Sequence, residues 1–253
     1  MIEIRGTTTL VGLLGWPTSH SLSSPMQNAG FAALGLDWAY VPLPTPPELL
    51  PDAVRGLRAL GFAGANVTIP HKQGVIELCD ELDEIARAAG SVNTLIFDGG
   101  RILGSSTDGD AVTAQIDAEG RRALVLGTGG AALAVVEALE RAGAEVTTAS
   151  RRARDWPPSS EGYDVLVNAT PVKEELIVAP HESMQVVDLA YLPDGRQTAL
   201  VAAARSAGCE VVVDGLDVLL LQGGASFERW TGLPAPLVAM RAALRSAPEH
   251  GVS

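Results

Sequence analysis

An α/β protein built of two αβ domains is predicted by three observations on the sequence. Short aliphatic runs alternate with helical patterns from end to end. The series restarts at Ala123–Leu126, a strand pattern that runs straight into a glycine turn. A chain of 253 residues is long for one compact core and comfortable for two. Such alternation points to parallel strands joined by helical crossovers.

In the first half, strands are expected at Thr9–Leu14, Trp38–Val41, Ala65–Thr68 and Val92–Phe97. Helical patterns fall between them at about Pro25–Leu34, Glu48–Leu60 and Glu81–Ala88. A polar stretch at Ser105–Gly109 marks a boundary before the helical pattern Ala111–Ala118. The second series runs from the strand Ala123–Leu126 through a helix at about Ala131–Ala142 to a strand at Glu145–Ala149. Further strands follow at Asp164–Asn168, Val186–Leu189 and Glu210–Val213. The last segment, Phe227–Arg245, reads as helix and is expected to return to the first domain. The domains are therefore drawn at 1–108 plus 225–253 and at 109–224, with a cleft between them of the kind in which α/β proteins bind ligands.

Composition narrows the function. A net charge of −12 argues against a nucleic-acid partner, and aromatic residues at 4% leave no stacking platform for single strands. A small-molecule substrate remains. No apolar run approaches the roughly 20 residues that span a bilayer, and the start Met1-Ile2-Glu3-Ile4-Arg5 has no signal-peptide pattern. Cys79 and Cys209 are far apart, which favours reduced thiols and a cytoplasmic setting. No His, Cys and carboxylate cluster has metal spacing, so no metal is expected. The oligomeric state is expected to be monomer or homodimer.

The glycine turn is the first specific signal. Strand Ala123–Leu126 enters Gly127-Thr128-Gly129-Gly130-Ala131-Ala132, which matches G-x-G-x-x-A. Gly127 permits the tight turn, Gly129 lets backbone approach a pyrophosphate, and Ala132 lets the helix pack closely on the strand. The helix N-terminus then offers free N–H groups to phosphates. The next strand ends in Ser150-Arg151-Arg152-Ala153-Arg154 rather than in the carboxylate that suits a ribose diol. Guanidinium groups suit a 2′-phosphate, so the expectation is a Rossmann-type, doubly wound domain binding NADP(H).

Four segments of the first half carry small polar groups beside glycine or proline: Gly15–Ser24, Asn66–Lys72, Gly90–Thr94 and Ser106–Gly109. Taken singly, each reads as a turn, and Thr107-Asp108-Gly109 as a helix start with an aspartate cap. Together they resemble the motifs of the shikimate dehydrogenase family over nearly the whole chain. Asn66-Val-Thr-Ile-Pro-His-Lys72 is similar to its catalytic-lysine motif, Gly90-Ser-Val-Asn93-Thr94 to its substrate-binding turn and Thr107-Asp108-Gly109 to its catalytic-aspartate motif. Asn168-Ala-Thr-Pro171, Asp188-Leu-Ala-Tyr191, Gly215 and Gln222–Gly232 continue the pattern in order.

The resemblance implies an N-terminal substrate domain and an NADP-binding domain. It implies NADPH-dependent, reversible reduction of 3-dehydroshikimate to shikimate in aromatic amino-acid (chorismate) biosynthesis. It assigns Lys72 and Asp108 as the catalytic pair, and Ser21, Ser23, Asn66, Thr68, Asn93, Tyr191 and Gln222 to the substrate. It assigns Gly127, Thr128, Gly129, Gly130, Ala131, Ala132, Ser150, Arg151, Arg152, Arg154, Thr170, Leu189 and Gly215 to the cofactor. The chemistry agrees: hydride reaching a ketone carbon builds negative charge on oxygen, which a lysine can neutralise and protonate. A neighbouring carboxylate keeps that lysine charged.

The chain departs from the family pattern at Ser24-Pro25, where the proline comes one position late, at Gln27, at Ser106 and at Leu133. His20 and His71 adjoin the site and read first as loop hydrogen bonders; His181 and His250 carry no signal. A quinate/shikimate or aminoshikimate dehydrogenase is the sister reading. A non-catalytic sensor on the same fold is the reading from another class, and the retained Lys72 and Asp108 speak against it.

Overall fold

The computed structural model describes residues 3–246, so Met1 and His250 lie outside the described residues. The chain divides into two compact units, Met1–Thr107 with Leu220–Ser253, and Asp108–Leu219.

The first unit opens with β1 (Thr9–Gly15), α1 (Ser23–Ala33), β2 (Trp38–Pro44), α2 (Leu50–Ala59) and β3 (Gly64–Val67). It continues with β4 (Glu81–Leu82), α3 (Glu84–Ala89), β5 (Thr94–Asp98) and β6 (Arg101–Ser105). These strands form one sheet in the order β2-β1-β3-β5-β6-β4. The all-parallel expectation fails here: β1 pairs parallel with β2 and β3, but β5 runs antiparallel to both β3 and β6. The β5–β6 pairing follows from a two-residue hairpin at Gly99-Gly100, with φ of 54° and 81°, joining Asp98 to its partner Arg101. A Gly-Gly pair is a strong hairpin signal because both central residues of that turn take positive φ. Strand β6 has no counterpart among the expected strands, and Glu81–Leu82, expected to start a helix, is a strand instead. Asp83 then caps α3, its carboxylate accepting from the Ala86 N–H at 2.7 Å.

The second unit holds α4 (Asp108–Thr113), β7 (Arg122–Leu126), α5 (Gly130–Arg141), β8 (Glu145–Ala149), β9 (Val165–Asn168), β10 (Gln185–Asp188), α6 (Ala199–Ser206) and β11 (Val211–Val213). Every strand pairing is parallel, in the order β11-β10-β9-β7-β8. This is a doubly wound order that reverses between β7 and β9, and ligands of such sheets bind at the strand ends beside the reversal. The crossovers from β8 to β9 and from β9 to β10 contain no helix, whereas β10 reaches β11 through α6. Gly109 fixes the seat of α4: a Cβ there would lie 2.2 Å from the Ala134 carbonyl oxygen and 2.6 Å from the Ala138 Cβ of α5. Only glycine allows that approach.

The chain ends in α7 (Gly215–Thr231) and α8 (Leu237–Ser246). The single helix expected over Phe227–Arg245 is thus two, parted at Gly232 (φ 68°) and the prolines that follow. The first of them starts twelve residues earlier than the pattern suggests, at Gly215 against Phe227. Gly223 and Gly224 obscure it, since glycines read as turn residues. They are small for packing: a Cβ on Gly223 would lie 2.3 Å from Met26 Cε, and one on Gly224 2.7 Å from Leu237 Cδ2. The Phe227 ring stacks on Phe31 at 5.1 Å between centroids, and the Trp230 indole donates to the Leu95 carbonyl at 2.9 Å. Val11, Leu13, Phe31, Tyr40, Phe227 and Trp230 form one of the buried clusters of the first unit.

Candidate active site

In the first unit, the expected substrate residues gather at strand ends. Val67 N–H donates to the Asn93 carbonyl, and Thr68 N–H to the Leu14 carbonyl, both at 2.8 Å. Val92 N–H donates to the Lys72 carbonyl at 2.9 Å, which ties the Lys72 backbone beside Asn93. Ser21 and Ser23 lie at the start of α1, with 3.1 Å between hydroxyl oxygens, and the Ser23 N–H donates to the Ser21 Oγ at 3.2 Å. Both hydroxyls sit next to a helix start, where N–H groups and the helix dipole favour an anion.

Asn93 is the hub. Its side chain is 2% exposed. Its Oδ1 accepts from the Thr107 N–H at 3.0 Å and from the Thr94 hydroxyl at 2.9 Å. Its Nδ2 donates to Thr107 Oγ1 at 2.8 Å and to Gln222 Oε1 at 3.3 Å. Thr107 in turn donates to the Gln222 carbonyl at 3.1 Å. Asp108 follows Thr107 directly in the chain and is buried at the first turn of α4.

Asn66 stands differently from its assignment. Its Oδ1 accepts from the Tyr40 hydroxyl at 2.9 Å, and its Nδ2 faces the Asn93 carbonyl, Thr94 Oγ1 and Ser226 Oγ. Two amide hydrogens already meet three protein acceptors, so the carboxamide braces the site from inside the protein. His71 is 2% exposed and its Nε2 lies 2.7 Å from the Thr45 carbonyl, the loop-holding role expected for it. His20 is exposed. Gln27 is buried and donates to the Gly223 carbonyl at 2.8 Å, joining α1 to α7. Ser106, another departure from the family pattern, is buried with a hydroxyl that meets no hydrogen-bond partner among the described residues. No physical account of that serine follows from the structure.

The second unit presents the glycine turn at the strand-order reversal. Gly127 has φ 119°, and a Cβ there would lie 3.1 Å from the Ala169 carbonyl oxygen, so both the backbone angle and the neighbour demand glycine. Gly129 caps α5 without a side-chain acceptor, and a Cβ there would meet nothing within 4 Å. Open space beside an uncapped helix start fits a pyrophosphate. Ala132 is buried, while Thr128 and Gly129 are exposed. Arg151, Arg152 and Arg154 are exposed in the turns after β8, and Ser150 is half-buried. These residues fit a dinucleotide carrying an extra phosphate.

A second polar cluster shapes the ends of β9 and β10. Asp188, fully buried, accepts from Asn168 Nδ2 at 2.8 Å, from the Ala190 N–H at 3.0 Å and from the Thr198 hydroxyl at 2.5 Å. Asn168 Oδ1 accepts in turn from the Thr170 N–H at 3.0 Å and the Thr170 hydroxyl at 2.7 Å. The Asp188 carboxyl is raised above its ordinary value, chiefly because burial disfavours the charge, while its three donors oppose that shift. Thr170 and Leu189, expected to meet the nicotinamide half, lie on the loops this cluster holds. Gly215 starts α7 against the Ala190 carbonyl, 2.3 Å from a notional Cβ. Tyr191 is half-buried on the same loop. Among the described residues no group of three or more His, Cys, Asp or Glu is placed to hold a metal ion, and no helix is long and apolar enough to cross a membrane.

Comparison with known proteins adds an independent finding. Residues 13–95 match the model of the shikimate dehydrogenase substrate binding domain, and residues 215–245 that of the shikimate 5'-dehydrogenase C-terminal domain. The NADP(+)-dependent shikimate dehydrogenase of Rubrobacter xylanophilus is 45% identical, covering 96% of this chain and 97% of that one. The crystal structure of shikimate dehydrogenase from Aquifex aeolicus superposes with a TM-score of 0.87 at 32% identity, over 96% of this chain and all of the other. The Thermus thermophilus shikimate 5-dehydrogenase, solved in complex with NADP(H) and shikimate, gives 0.85 at 32% identity over 95% of this chain and all of that one.

Proposed function

The chain belongs to the shikimate dehydrogenase family, and from that premise we propose that it reversibly reduces 3-dehydroshikimate to shikimate with NADPH. The observation that carries the proposal is the Asn93 hub: its neighbours place the backbone of Lys72 on one side and Thr107, next to Asp108, on the other.

Ser21 and Ser23 receive the substrate carboxylate, and Thr68, Asn93 and Gln222 its ring hydroxyls, with Tyr191 near the carboxylate. Asn66 braces Asn93 in the same cluster. Gly127–Ala132 hold the pyrophosphate, Ser150, Arg151, Arg152 and Arg154 the 2′-phosphate, and Thr170, Leu189 and Gly215 the nicotinamide half. When bound, the cofactor supplies the hydride. Lys72 Nζ neutralises the oxyanion that forms at the ring ketone and protonates it, and in the reverse direction it receives that proton. Asp108 aims the Lys72 side chain at the ring oxygen.

We further place the protein in the cytoplasm as a monomer or homodimer with no nucleic-acid partner, a reading supported by two free cysteines and a net charge of −12. The test is to measure oxidation of shikimate and quinate with NADP and with NAD. Shikimate with NADP is expected to be the preferred pair, and Lys72→Ala to lower kcat by about 10²–10⁴-fold. Activity with no pair, or activity untouched by Lys72→Ala, refutes the reading. Arg151→Ala is expected to raise the KM for NADP and leave that for NAD nearly unchanged.

A further inference from the structure

Behind Asn93 lies a buried chain of hydrogen bonds whose direction is fixed by backbone groups at two points. At one point Asn66 Nδ2 lies 3.1 Å from the Asn93 carbonyl, a group that can only accept. The Asn66 amide nitrogen is therefore on that side, its oxygen faces Tyr40, and the Tyr40 hydroxyl must donate, at 2.9 Å. At the other point the Thr107 N–H, which can only donate, meets Asn93 Oδ1 at 3.0 Å. Thr94 Oγ1 lies 2.9 Å from that same acceptor, so the Thr94 hydroxyl donates to it. Its proton spent there, Thr94 accepts from Ser226 Oγ at 2.7 Å; Ser226 shares that proton with the Gln222 carbonyl at 3.0 Å, and itself accepts from Asn66 Nδ2 at 2.9 Å. Thr94 and Ser226 are both fully buried, and Tyr40 is 2% exposed. Water therefore does not reverse the chain, which runs Tyr40 to Asn66 to Ser226 to Thr94 to Asn93.

The polarity continues outward. Asn93 offers its Nδ2 to Gln222 Oε1 at 3.3 Å, which turns the Gln222 amide nitrogen to the far side of that carboxamide. A flipped Asn93 would set oxygen against the Gln222 oxygen and force Gln222 to flip as well. We propose that Thr94 and Ser226 are positioning residues that, together with the Thr107 N–H, hold the Asn93 carboxamide, and through it that of Gln222, rigidly oriented toward a polyhydroxylated ring, and thereby set substrate affinity. The inference rests on the reading that Asn93 and Gln222 hold the ring hydroxyls.

The experiment compares Thr94→Val, Thr94→Ser and Ser226→Ala with the unaltered protein in steady-state shikimate oxidation, alongside thermal denaturation. Thr94→Val keeps the shape and deletes the donor. It is expected to raise the KM for shikimate about tenfold, with kcat and the KM for NADP changed less than about twofold. Thr94→Ser keeps the donor and restores the KM. Ser226→Ala, one link further back, raises it about threefold. A lower melting temperature with an unchanged KM in Thr94→Val means the cluster only supports the fold, and overturns the proposal. Should Thr94→Val fail to fold, Ser226→Ala and Tyr40→Phe decide in the same way. Asn93→Ala separates substrate contact from positioning. If it leaves the KM for shikimate unchanged, the substrate reading of Asn93 fails; if it raises the KM while Thr94→Val and Ser226→Ala do not, only the positioning role falls.

Discussion

Each unit holds a buried polar cluster at its strand ends, and the two are built on opposite principles. The one around Asn93 consists of amides and hydroxyls, with Asn66, Thr94, Thr107 and Ser226 all buried. The one around Asp188 centres on a carboxylate served by Asn168, Ala190 and Thr198. A neutral network keeps its polarity at any pH and stores direction in its amides. A network around one acid concentrates three donors on a single acceptor and holds two loops at once, at the cost of burying charge. Under the proposed function the first orients amides toward a hydroxylated ring, while the second clamps the loops after β9 and β10.

The comparison breaks most sharply on exchange of chemistry. Asn66→Asp puts an oxygen where the Asn93 carbonyl and Ser226 hydroxyl receive donors, and leaves a buried charge with the Tyr40 hydroxyl as donor and no opposite charge among its partners. It is expected to cost about 3–5 kcal/mol, more near pH 8 than near pH 5, in urea denaturation. A loss below 1 kcal/mol, independent of pH, means that the neutral cluster tolerates charge.

Asp188→Ala comes next. It leaves the Asn168 amide, the Thr198 hydroxyl and the Ala190 N–H without their acceptor, and an expected loss of about 2–3 kcal/mol accompanies a raised KM for NADP. An unchanged KM detaches the Asp188 cluster from cofactor binding.

Asp188→Asn sharpens the pH side. A carboxyl raised in the folded chain contributes stability that is complete below its ordinary value of 3.8 and is lost as pH rises through the raised one. The deficit of Asp188→Asn against the unaltered protein therefore shrinks as pH is raised from about 4 to about 7. A deficit that grows over that window reverses the assigned direction. The smallest effect falls on exposed charge. Arg141 pairs with Asp110 at 2.6 Å and Glu137 at 3.0 Å but is half exposed, and Arg141→Ala should cost no more than about 0.5 kcal/mol.

Legibility follows the range of the interaction. The strand Glu145–Ala149 is found at the bounds its pattern predicts, and the glycine turn lies between β7 and α5 as its spacing requires. The Gly-Gly hairpin at 99–100 is equally local yet absent from the expected elements, and with it go β6 and its antiparallel pairing with β5. Thr94, Thr107 and Ser226 are in view inside their motifs but without a role, and Tyr40 gives no signal beyond its place in a strand. Tyr40 and Asn66 meet across 26 positions, Asn66 and Ser226 across 160. Glycines divide in the same way: Gly127 has a positive φ besides a close neighbour, but Gly109, Gly215 and Gly223 are explained only by neighbours that packing supplies.

By itself, the sequence determined the α/β class and the glycine turn after β7, because each depends on side-chain type and spacing along a few adjacent positions, and from the same spacing it supplied the candidates for the chemistry. Only the tertiary structure decided that Asn66 braces Asn93 from within, that α7 carries Gln222 and Ser226 to the ends of β3 and β5, and that Asp188 joins two loops. The direction of a hydrogen bond and the room for a Cβ are set by atoms distant in the chain, and no local pattern encodes them.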